Sequence, residues 1–176
     1  MNEDMNEDTP TTPVSPTDIL AQLEAADPTK IETSYPILAT GTVSAIVSSV
    51  TADAKDGKGF LTIKYTLAQP WHSQPIDGSE AKQIQVGFPF NERIYFNDWE
   101  DPQSHEIKNF GMVRLAQFRE AIFGKAKEGD SLMPLEQYIN QPITLNLKFE
   151  PAPKNKKSGE VYSPKTTIAG YVRRKV

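Results

Sequence analysis

The sequence contains no cysteine and only two histidines, His72 and His105. Without thiols there is no disulfide, no thiolate metal centre and no cysteine nucleophile, and two imidazoles leave little for acid–base or zinc chemistry. No apolar run is long enough to cross a bilayer, and the acidic start shows neither a basic leader nor a hydrophobic signal stretch. The expectation is a soluble, cytoplasmic protein. Phosphate-cradling GxxxxGKS, the GxSxG elbow and HExxH are all missing. No nucleophile has an assigned base, so the chain reads as a non-enzyme with no cofactor and no metal.

What is present fits one ordinary domain and a tail: 176 residues, 38% apolar and 24% charged. The net charge of −4 hides an asymmetry. Residues 1–30 carry seven acids against Lys30 alone, which leaves residues 31–176 mildly basic at +2. Within the body, residues 148–176 hold eight cations against Glu150 and Glu160. Such a concentration suits phosphate binding, because neutralised phosphates release counterions; a solvated lysine-rich hairpin is the plainer alternative.

The chain opens with MNEDMNED and continues TPTTPVSP, a composition that cannot bury a core and reads as a flexible acidic tail. TDILAQLEAA, residues 17–26, places Ile19, Leu20 and Leu23 on one side of a short amphipathic helix. Residues 1–30 therefore form a tail and residues 31–176 a domain. In the domain, residues 37–50 read as a first strand with Gly41 as a bend, and TADAKDGKG as a turn. GFLTIKYTLA alternates, with Leu61, Ile63, Tyr65 and Leu67 on one face and Phe60, Thr62, Lys64 and Thr66 on the other. Ile84, Val86, Phe88 and Phe90 alternate in a third strand that Ile94, Tyr95 and Phe96 extend or restart. Residues 97–108 read as a polar loop. Asn109 caps a helix over FGMVRLAQFREAIF, with Met112, Leu115, Phe118 and Ile122 at core spacing and Gly124 at its end. PLEQYIN supplies one or two further turns. ITLNLKFE and KTTIAGYVRR close the chain as fourth and fifth strands.

The order β-β-β-α-β-β predicts a mainly β fold with one principal helix, an OB-fold-like five-stranded Greek-key barrel. Glycines 41, 87 and 170 inside predicted strands would relieve its curvature. An open α+β sandwich is the competing architecture.

Binding to single-stranded nucleic acid requires cations along the backbone and aromatic faces for unpaired bases. Phe60 and Lys64 share the outward face of the second strand, and an outward aromatic there points to stacking. Lys55 and Lys58 occupy the first hairpin. Arg93 is interleaved with Tyr95, Phe96 and Trp99, rings that either stack on bases or cover the core. Trp71 is a lid or a contact residue. Lys154, Lys156, Lys157 and Lys165 flank Tyr162 in the loop between the last two strands, which rims the groove of such a barrel. The run Asn97, Asp98, Glu100, Asp101, His105 and Glu106 offers carboxylates for a two-metal nuclease, but a solvated acidic loop accounts for it more simply.

The segments KDGKGFLTIKYTLA, FGMVRLAQFREAIF and LEQYINQPITLNLKF, followed by a lysine-rich hairpin and TIAGYV, resemble a loose group of small bacteriophage single-stranded DNA-binding proteins over residues 35–173. The resemblance implies sequence-tolerant coating of single-stranded DNA in replication or recombination, in the host cell cytoplasm, without catalysis. It also marks a departure. Many such proteins end in an acidic tail that recruits partners, whereas this chain ends in Arg173, Arg174 and Lys175 and carries its acids at the start. The acidic N-terminal tail is then the expected contact for replication or recombination proteins. A protein-interaction or virion-assembly module on the same barrel is the alternative function.

Overall fold

The computed structural model describes residues 15–25, 36–76, 78–132, 134–152 and 158–174. The chain divides into two units, Met1–Tyr35 and Pro36–Val176. In the first, helix α1 spans Pro16–Ala25, with proline in its first turn, where no amide donor is needed. Leu20 is exposed; the side chains of Ile19 and Leu23, and the acidic stretch before Ser15, lie outside the described residues.

In the second unit, β1 (Gly41–Lys55) and β2 (Lys58–Leu67) form a hairpin longer than its composition suggests. TADAKDGKG is strand almost throughout. Its turn is only Asp56 and Gly57, at φ 53° and 74°, a pair of left-handed residues whose twist matches the flanking strands and for which Asp-Gly is suited. Short strands β3 (Trp71–His72) and β4 (Gln83–Ile84) pair with each other. The alternation from Ile84 to Phe90 does not make one strand. Gly87, at φ 87°, turns the chain, Val86 is exposed, and β5 (Pro89–Tyr95) starts afresh against β2. Pro89 stands at the first position of an edge strand, where its missing amide is harmless. Residues 97–108, read as a loop, instead hold a second hairpin, β6 (Asp98–Glu100) with β7 (Ile107–Asn109).

Helix α2 (Phe110–Phe123) has the caps its sequence announces. The Asn109 side chain accepts from the Met112 amide at 3.0 Å, and Gly124, at φ 83°, donates its amide to the Glu120 carbonyl. Its rotation differs from the expected one: Leu115, Phe118, Ala121 and Ile122 are buried, but Met112 is exposed and Gly111 faces inward. A Cβ at Gly111 would stand 2.6 Å from the Phe96 ring and 2.7 Å from the Tyr95 carbonyl. The helix enters so close to the end of β5 that only glycine fits, and this contact sets the rotation. A 3-10 turn (Leu135–Tyr138) leads into β8 (Pro142–Glu150) and β9 (Lys165–Tyr171).

Five strands form one antiparallel sheet in the order β5-β2-β1-β8-β9. Register shifts fall between Val47 and Ser49 of β1 and between Asn146 and Leu147 of β8, opposite Gly170 and Ile168. Val43, Ala45 and Val47, Leu61, Ile63 and Leu67, and Ile143, Leu145 and Leu147 build a core with Leu115, Phe118 and Ile122 of α2. Trp71 proves to be a lid. It packs against this core, its ring fills the space beside Gly41, and its indole donates to the Ala39 carbonyl at 3.1 Å.

The expected barrel closure is not found. Among the described residues no backbone ladder joins the outer strands β5 and β9. Side chains bridge them instead. Glu92 of β5 accepts from the Tyr65 hydroxyl at 2.6 Å and from the Tyr171 hydroxyl of β9. Its other oxygen accepts from Arg114 of α2 at 3.1 Å, and the same guanidinium nitrogen donates to the Ile168 carbonyl at 2.8 Å. The guanidinium also lies 4.0 Å from the centre of the Tyr171 ring. Only 11% of the Glu92 side chain is exposed, and three donors satisfy its two oxygens there.

Candidate nucleic-acid interface

Strand pairing places three rows of side chains on the sheet face opposite the core. Ser49, Lys64 and Asn91 form one row, Thr51, Thr62 and Arg93 the next, and Asp53, Phe60 and Tyr95 the third. The same alternation carries the row on to Lys55 and Lys58, paired across the hairpin turn. Lys55, Lys58, Lys64 and Arg93 are all exposed. Four cations and two aromatic rings thus share one face of three adjacent strands.

Phe60 requires a correction. It lies on the outward face and outside the core cluster, as alternation requires, but only 7% of it is exposed. The Tyr95 ring stands 5.4 Å from it, tilted by 41°, and the Arg93 guanidinium lies 5.4 Å from its centre. Phe60 therefore supports Tyr95 and Arg93 from beneath and is not itself free to stack. Tyr95, 43% exposed, is the ring this face offers to solvent.

The other expected aromatics disperse. Phe96 packs against the core beside Gly111, so it covers the helix entrance and is not a stacking face. Trp99 sits on β6, with its ring 5.5 Å from Phe110. Its surroundings oppose a phosphate chain: Asp98, Glu100, Asp101 and Glu106 share the hairpin with Lys108 as the only lysine or arginine. These carboxylates are committed locally. Asp98 accepts from the Asn109 side-chain Nδ2, Glu100 contacts His105 at 2.9 Å, and Asp101 contacts Lys108 at 2.8 Å. The Lys108 ammonium, with the Gln103 and Ser104 backbone amides, lowers the Asp101 carboxyl to about 2. Among the described residues no group of three or more such side chains is placed to hold a metal ion.

Tyr162 is exposed, and Lys165 contacts Glu150 at 3.8 Å, which ties it to the end of β8. Lys165 begins β9, which lies beyond β1 from β5 in the sheet order, and Tyr162 precedes that strand. Lys154, Lys156 and Lys157 lie outside the described residues. No motif announces the Glu92 cluster, although one signal points towards it: a tyrosine at a core position, Tyr65, needs a polar partner for its hydroxyl. No described helix is long and apolar enough to cross a membrane. Neither the family models nor the curated proteins compared with this chain give a match.

Proposed function

We propose that the outward face of β1, β2 and β5 binds single-stranded DNA without catalysis or sequence preference. The observation that carries this reading is the continuous row from Lys55 and Lys58 past Tyr95 and Arg93 to Lys64. Cations neutralise a sugar–phosphate chain and an exposed ring stacks on an unpaired base, a contact worth about 1–3 kcal/mol. Phe60 contributes by holding that ring and guanidinium in place. Strand order supports an OB-fold-like architecture: β1, β2, β5, β8 and β9 follow the five-strand sequence of that fold, with α2 between third and fourth. The seam of this version is closed by Glu92 and its donors. Such a protein serves replication or recombination, in keeping with the resemblance to bacteriophage proteins, and the acidic tail recruits partners there.

The test is a fluorescence-polarisation titration of the full chain with labelled oligothymidine. Binding should appear at low salt and weaken steeply as salt rises. No binding at low salt rejects the reading. Equal binding of an oligouridine would assign the face to single strands generally, since stacking alone does not sense the 2′-hydroxyl.

A further inference from the structure

The outward face of β1, β2 and β5 is unevenly charged across its width. Its β2 and β5 side carries Lys58, Lys64 and Arg93, whereas β1 contributes Ser49, Thr51 and Asp53 before Lys55 at the turn. Asp53 is the one carboxylate in the three rows. It is exposed and stands directly across from Phe60, the ring that supports Tyr95. Because β1 and β5 flank β2, Asp53 and Tyr95 rise on either side of Phe60, two strand spacings or roughly 10 Å apart. Asp53 Oδ1 accepts from the Ala54 amide at 2.7 Å. The other oxygen has no partner among the described residues, and no ion pair joins the carboxylate to Lys55, two residues along the same face.

A carboxylate among phosphate-binding cations opposes binding unless the ligand brings it a donor. Ionised, it only accepts hydrogen bonds, and a phosphodiester has none to give. The donors of a single strand are on its bases. Resting on the single-strand reading of this face, we propose that Asp53 accepts an amino N–H from the edge of the base stacked on Tyr95. By repulsion it also keeps the phosphate chain on the β2–β5 side, over Lys58, Lys64 and Arg93. A base on the exposed Tyr95 ring that extends over Phe60 turns its edge towards the open oxygen. Cytosine presents an amino group that a carboxylate accepts; thymine presents a carbonyl in its place, whose lone pairs oppose the carboxylate. Every base still stacks on Tyr95, so the order of bases stays unread and only their composition counts.

The test compares fluorescence-polarisation titrations of the full chain with oligodeoxycytidine and oligothymidine of equal length at neutral pH. The cytidine oligomer should bind about three- to ten-fold more tightly, less than a bidentate base contact discriminates. Asp53→Ala should bring the two affinities together. Asp56→Asn is the control: it removes the same charge from the neighbouring turn, where asparagine accepts the left-handed φ of 53°, and should strengthen both oligomers alike with their ratio intact. A urea melt verifies that both variants fold. Equal binding of the two oligomers by the wild type, a ratio that survives Asp53→Ala, or a ratio that Asp56→Asn changes as much, would each overturn the role of Asp53 and leave the single-strand reading standing. Binding of neither oligomer at low salt rejects that reading and this role together.

Discussion

Along β5, alternate side chains meet two environments. Phe90, Glu92 and Ile94 turn towards the core and the seam, while Asn91, Arg93 and Tyr95 turn outward. Both faces use a charge beside an aromatic ring: Arg114 over Tyr171 on the inside, Arg93 over Phe60 on the outside. The inner pair is enclosed and its carboxylate is held by three donors, so removing one member leaves an uncompensated buried charge. The outer pair already shares its charge with water and can exchange that water for a phosphate at little structural cost. The stabilising cluster and the proposed binding face are thus separated by one residue of strand register.

The inner face is the more fragile of the two, and Glu92 is its centre. Glu92→Ala should cost about 3–5 kcal/mol in a urea melt, because Arg114 then remains largely enclosed without its carboxylate. A loss below about 1 kcal/mol, the scale of an exposed ion pair, would show that the seam is held by something else. Alkaline pH probes the same face by its tyrosines. Burial first, and Glu92 second, raise the Tyr65 and Tyr171 hydroxyls well above their ordinary value of 10. The unfolded chain then releases protons that the folded chain keeps, so the stabilisation is complete below pH 10 and is lost as pH rises towards the folded values. The expected slope is up to about 1.4 kcal/mol per pH unit for each tyrosine. Tyr65→Phe and Tyr171→Phe should each flatten it.

On the outward face the readouts reverse. Tyr95→Ala should weaken oligothymidine binding by about 1–3 kcal/mol and change the urea midpoint little. A variant that melts early and binds normally would move Tyr95 from the interface to the framework. The smallest effect belongs to the hairpin tip. Lys55→Ala with Lys58→Ala should leave folding intact and reduce the salt slope of binding by about 0.7 for each phosphate the pair no longer neutralises. An unchanged slope would end the interface at Tyr95.

Features decided by local chemistry were legible in the sequence: the alternation of β2 and β8, the Asn109 and Gly124 caps, and the order of strands about α2. Features decided by distant partners were not. Phe60 alternates outward, and its burial follows from the register that sets Tyr95 opposite it. Met112 has core spacing, but the close approach of Gly111 to Phe96 turns the helix. The seam joins Glu92 to residues 27 and 79 positions away, a separation at which no single-sequence pattern reports. The length of the first hairpin was within reach, since Asp56-Gly57 is a turn signal flanked by pairable residues; its polar composition concealed it.

β5 and β9 are two strand edges held near each other by a carboxylate and its donors, with no ladder between them among the described residues. Release of that clasp would present adjacent unsatisfied rims to other molecules, the starting point for domain exchange and fibre growth. Loss of Glu92 is therefore expected to promote aggregation as well as unfolding.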